Sequence, residues 1–146
     1  MRHSALPATC LALLAMQALA APAQPAALAA EDVWIRATPG ADVAAAYLTL
    51  HNNGTQPVVV TGVRSAAAAA AMIHETSLVK GESTMRAHEP LRIAPGETVR
   101  FAPGGLHIML HLKHPLAAGD EVPLTLLLDS GASVTVSGRV RALGDG

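Results

Sequence analysis

The chain predicts an all-β domain, built as a sandwich or a barrel. Two observations carry this. Short runs rich in Val, Ile, Leu and Thr recur along the chain, and Gly, Pro, Asn and Asp interrupt them at close intervals. Only residues 66–71, an unbroken alanine stretch, have the composition of a helix. At 146 residues the chain is long enough for one domain.

The elements follow in order. Val33-Trp34-Ile35 opens the domain. Residues 46–51 alternate and stop at Asn52-Asn53-Gly54, a strong turn signal. Residues 58–63 and 73–78 are the next strands, and Gly81-Glu82 turns into residues 84–88. Ala94-Pro95-Gly96-Glu97 turns into residues 98–101, and Pro103-Gly104-Gly105 leads into residues 106–112. Gly119-Asp120-Glu121 and Asp129-Ser130-Gly131 introduce strands over residues 122–128 and 133–140. The alanine stretch is either a helical turn or a loop lined with small side chains.

The N-terminus has the layout of a secretory signal peptide over residues 1–20. A short positive start, Met1-Arg2-His3, precedes an apolar Ala/Leu run, and Ala18-Leu19-Ala20 offers an A-x-A cleavage site. Ala27-Leu28-Ala29 is a second candidate site. The apolar run contains Pro7 and falls short of the about 20 residues that span a bilayer. Residues 21–31, with Pro22 and Pro25, read as a flexible linker, residues 32–141 as the domain and residues 142–146 as a tail. Cys10 is the single cysteine and lies within the signal. Too little apolar sequence precedes it for a lipoprotein cut. Without that thiol the mature chain forms no disulfide and holds no thiolate-ligated blue-copper site.

The formal net charge is −1, and no basic block exists. Nucleic acid and anionic membrane surfaces are therefore poor partners. No G-x-G-x-x-G, C-x-x-C, H-E-x-x-H, P-loop or nucleophile-elbow pattern is present, and the carboxylates sit near turns. The chain is not expected to be an enzyme.

The chemistry lies in His74, Met85, His107 and Met109, with ten residues between the first two and twenty-one between the second and third. Thioether sulfur is soft and uncharged and imidazole is borderline, a set that suits Cu(I) better than zinc, magnesium or calcium. Alternation places Leu106, Ile108, Leu110 and Leu112 on one face of a strand and His107, Met109 and His111 on the other. Two donors at i and i+2 stand about 6–7 Å apart at Cα, close enough to converge on one ion. A lone methionine is more often core filler, so Met85 and Met72 are weak candidates singly. Met72 shares a face with His74 if that segment is extended, and His111 is a possible fifth ligand. His51, His88 and His114 have no partner pattern. Trp34 and Tyr47 are core or site-rim aromatics.

This spacing resembles the signature of the PCuAC-type periplasmic copper chaperones: a histidine, ten residues, a methionine, twenty-one residues, then His-x-Met. His74-Glu75-Thr76, Met85-Arg86, Ile93-Ala94-Pro95-Gly96-Glu97-Thr98 and Gly119-Asp120-Glu121-Val122-Pro123-Leu124 also resemble the family, as do Val33-Trp34-Ile35-Arg36-Ala37 and residues 46–50. The resemblance covers roughly residues 32–140. It favours a loop over a helix at residues 66–71. It implies a cupredoxin-like, immunoglobulin-like β-sandwich; the signal layout adds export to the periplasm, and a monomer is expected. Its four ligands would bind Cu(I) and deliver it to a cytochrome oxidase subunit or a Sco-type assembly protein. Copper buffering for tolerance and a non-metal interaction sandwich are the rival functions. The family more often has a small or thioether residue where this chain has His111.

Overall fold

The alternating segments form ten β-strands in the computed structural model, which describes residues 27–144. They are β1 (Leu28–Ala37), β2 (Val43–Asn52), β3 (Val58–Arg64), β4 (Ala68–Val79), β5 (Glu82–Ala87), β6 (Leu91–Ile93), β7 (Thr98–Arg100), β8 (Leu106–Leu112), β9 (Glu121–Leu128) and β10 (Ser133–Arg141). Hydrogen bonds link them in the order β5-β4-β8-β2-β1-β10-β9-β3-β6, and β7 pairs with the C-terminal half of β2. The β1–β10 pair is parallel and the others are antiparallel. Ile35, Leu50, Val60, Ile73, Ile108 and Leu124 are fully buried in one cluster that draws on strands along the whole order. One face of the sheet is thus folded over a single core, as the alternation predicts.

Four details depart from the sequence expectations. β1 begins at Leu28, inside the stretch 21–31 read as linker. Leu28 is only 2% exposed and pairs with Asn52, so burial and ladder hydrogen bonds hold residues 28–31 in the sheet. A register shift follows between Glu31 and Trp34, with Asp32 at φ 53°. Aspartate tolerates the left-handed conformation better than most residues, as a bulge here needs. The signal peptide expected over residues 1–20, and Cys10 within it, lie outside the described residues.

The alanine stretch is neither helix nor loop from Ala68 onward. Ala68, Ala70 and Ala71 pair with Leu112, His111 and Leu110 of β8, across an irregularity between Ala68 and Ala70. Pairing with a buried strand outweighs the intrinsic helix preference of alanine, which is a weak prior.

Asn52-Asn53-Gly54 does not close a hairpin, because β3 leaves β2 to pair with β6 and β9. Asn52 is fully buried. Its amide donates to the carbonyls of Gln56 and Ile93 at 2.8 and 3.1 Å, and its Oδ1 accepts from the Gly54 N–H at 3.0 Å. The residue ties the crossover loop to the rest of the sandwich. The fourth departure is β6, a short strand with no counterpart in the sequence reading.

Two backbone features fix strand positions, the first of them in strands that carry candidate ligands. Lys80 and Gly81, at φ 53° and 82°, form a two-residue loop between the paired Val79 and Glu82. Both central residues with positive φ match the type I′ hairpin. That loop sets Thr76 opposite Met85. On the other side, a Cβ at Gly138 of β10 would lie 2.8 Å from Val33 Cγ1, so only glycine allows β1 and β10 this approach.

Candidate metal centre

β8 alternates as predicted from Ile108 onward. Ile108 and Leu110 are fully buried, Met109 is half-buried and His111 is exposed. His107 departs from the simple two-face pattern, at only 6% exposure. β8 lies between β4 and β2, so an outward side chain in its middle is enclosed by neighbours on both strands.

Register brings the predicted residues onto one face. Met72 pairs with Met109 and His74 with His107 across β4 and β8, and Thr76 pairs with Met85 across β4 and β5. Directly opposed residues share a face. Met72, His74, Met85, His107 and Met109 therefore lie on the side away from the core. Met85, His107 and Met109 line one cleft of about 280 Å³ with Arg36, Tyr47 and Thr76. His74 stands beside it, its ring centroid 5.9 Å from that of His107 and its plane at 84° to it. Met72 and His111 share the face but do not line the cleft.

The two imidazoles differ in their hydrogen bonds. His107 Nδ1 lies 3.1 Å from the Gly105 carbonyl oxygen. A carbonyl only accepts, so Nδ1 carries the hydrogen and the Nε2 lone pair is left for another partner. His74 Nδ1 is buried with no hydrogen-bond partner. Burial, then the nearby His107, lower the His74 pKa below its ordinary value; Glu89 opposes this and His111 adds to it. The neutral imidazole is favoured, and an orphaned buried nitrogen calls for an electrophilic partner. Among the described residues no three His, Cys, Asp or Glu side chains gather as a metal site. A metal on this face has to recruit the thioethers, and the donor set that results is a soft one.

The remaining histidines sit apart from this cluster. His51 Nδ1 is 2.7 Å from Thr98 Oγ1, and His88 Nδ1 is 3.0 Å from Glu75 Oε2. His114 is exposed beyond β8. Sequence reading did not single out Arg36 as a cleft residue. The signal was present: Trp34 and Arg36 alternate with buried Ile35, which puts both on the outward face. Tyr47 lines the cleft, and Trp34 packs against it with ring centroids 4.5 Å apart. Burial raises the Tyr47 pKa, and the positive charge of the nearby Arg36 partly offsets it.

Comparison with solved structures defines the fold class: it is that of PCuAC domains, a cupredoxin-like β-sandwich. The chain is 30% identical to DR1885 from Deinococcus radiodurans, whose apo solution structure superposes with a TM-score of 0.62 over 100% of this chain and 99% of that one. The Cu(I) form of DR1885 matches with 28% identity and a TM-score of 0.61, over 80% of this chain and 78% of that one. The copper-bound PCuAC domain from PmoF2 shares the fold at 24% identity and a TM-score of 0.65, over 80% of this chain and 93% of that one. The family model described as "Putative lipoprotein LpqE-like" matches residues 28–140, and the chain belongs to that LpqE-like family. A curated relative from Leifsonia xyli subsp. xyli, "Putative lipoprotein Lxx21020", is 39% identical over 106 residues, 71% of this chain. The chain spans 63% of that relative's length.

Proposed function

We propose that this protein is a copper chaperone that binds one Cu(I) through His74, Met85, His107 and Met109. The observation that carries this is the pairing of two imidazoles, one with its Nδ1 tied to Gly105 and one with its Nδ1 unpartnered, beside two thioethers on one sheet face. The Cu(I) form of DR1885 supports copper as the ion. All four donors are neutral, so the bound ion keeps its single charge. Each donor exchanges singly for an acceptor's ligand, which makes the site tight enough to suppress free copper and open enough to release it. The acceptor in this proposal is a respiratory oxidase copper centre or its Sco-type assembly protein. The protein acts there as a monomer, with Met72 and His111 as accessory donors at the margin of the site.

Export by residues 1–20 to the periplasm completes the proposal. The lipoprotein descriptions of the family and of its Leifsonia relative support an exported, envelope-associated protein. A thiol-free site suits an oxidising compartment, because thioethers do not form disulfides.

Titration of the mature protein with Cu(I) against a competing chelator tests the site. One equivalent binds, and Met85→Ala with Met109→Ala loses much of the preference for Cu(I) over Zn(II). No competition for Cu(I), or a double variant with unchanged selectivity, would contradict the proposal.

A further inference from the structure

Beside the cleft, the outward face carries two arginines that the copper site does not use. Register places Met109, Ala45, Arg36 and Arg141 in one row across β8, β2, β1 and β10. Ala45 is the only side chain between Arg36 and Met109. Its small size lets the Arg36 side chain reach the cleft, which it lines with His107 and Met85. Arg36 and Arg141 are direct cross-strand partners. Like charges directly opposed on a sheet are unfavourable. Among the described residues neither has a carboxylate within salt-bridge distance; the ion pairs there are Arg139 with Glu121 and His88 with Glu75.

An aromatic ring holds one member of this cationic pair, Arg141, in place. The Arg141 guanidinium lies 4.3 Å from the centroid of the Trp34 ring. Trp34 stacks on the buried Tyr47, which lines the cleft together with Arg36. Stacking fixes one side of a guanidinium and leaves its N–H fork for a carboxylate. Both arginines are exposed.

We propose that Arg36 and Arg141, on the Trp34–Tyr47 shelf, are the docking point for an acidic segment of the protein that receives copper. Carboxylates of that segment pair with the two guanidiniums and bring the acceptor's own ligands over Met85, His107 and Met109. The step that follows is ligand exchange without change of oxidation state: acceptor donors replace imidazole and thioether on Cu(I) one at a time. The transfer role rests on the proposed function; the recognition of carboxylates does not.

The test starts with the apo-protein, whose single tryptophan, Trp34, reports on the shelf. Hexaglutamate shifts Trp34 emission saturably at low salt, hexaglutamine does not, and about 0.5 M NaCl abolishes the response. Arg36→Gln with Arg141→Gln weakens hexaglutamate binding by about tenfold or more, read by backbone amide NMR shifts so that altered fluorescence does not decide the result. Arg64→Gln, an exposed arginine on β3, leaves it unchanged. An equal response to hexaglutamine would overturn the proposal. So would a loss in Arg64→Gln as large as in the double variant, or capture by phosphatidylglycerol vesicles with no response to hexaglutamate. In the Cu(I)-loaded protein, a two-cysteine acceptor peptide with a glutamate flank takes copper faster than one with a glutamine flank. The rate ratio falls to one in the double variant; a ratio of one in the unmodified protein overturns the transfer role. Failure of the unmodified protein to bind copper would sink the proposed function and leave the apo-protein result standing.

Discussion

Truncating adjacent residues of β8 tests which face is which. Ile108 is fully buried and pairs with Ile73, also fully buried. Ile108→Ala removes about three methylene equivalents at about 0.8 kcal/mol each, roughly 2.4 kcal/mol by transfer alone. The cavity left between two buried strands adds to this, for a total of about 3–4 kcal/mol within the range for such truncations. At about 4 °C per kcal/mol for a domain of this size, the melting temperature falls by about 12–16 °C. Met109 is the next residue, half-buried on the outward face. Met109→Ala therefore costs about 1 kcal/mol or less. His107→Ala falls between them, because the ring is buried and bonded to Gly105, and costs about 1–3 kcal/mol. Calorimetry and urea unfolding of the apo-protein measure all three. A Met109→Ala loss as large as that of Ile108→Ala would mean that the sulfur is packed into the core and unavailable to a metal.

In the apo-protein, NMR titration shows His74 protonating below the ordinary histidine value, since burial and His107 disfavour its charged form. The unfolded chain then binds more protons than the folded one just below pH ~6.5, so this group's contribution to stability is intact at neutrality and is lost as pH falls from there through the folded pKa. A His74 that titrates above the ordinary value would show that its environment is misassigned. Asn52→Ala leaves the Gln56, Ile93 and Gly54 partners unmet and destabilises by at least about 2 kcal/mol, measured by urea unfolding. A neutral substitution there would show that the loop does not depend on it.

Much of the fold was legible because strands with one buried face alternate. Residues 106–112 show this best: the aliphatic set identified the core face, and neighbouring turn residues marked the ends. Features set by partners distant in sequence were not legible. Nothing local to residues 28–31 or 68–71 announces a strand; pairing with Asn52 and with β8 makes them so. Asn52-Asn53-Gly54 has the composition of a hairpin turn, yet the destination of β3 is decided by β6 and β9. The candidate ligands stood out because His-x-Met on the polar side of a strand is chemically out of place. The burial of His107 depends on β8 being interior to the sheet, and the reach of Arg36 depends on Ala45 lying between it and Met109. Neither relation can be read along a single strand.

The most direct test of the central claim is X-ray absorption at the copper edge of the mature protein loaded with one equivalent of Cu(I). A first shell of two sulfur and two nitrogen scatterers, with the sulfur contribution reduced in Met109→Ala, is the result this account predicts. A first shell of nitrogen and oxygen alone would contradict it.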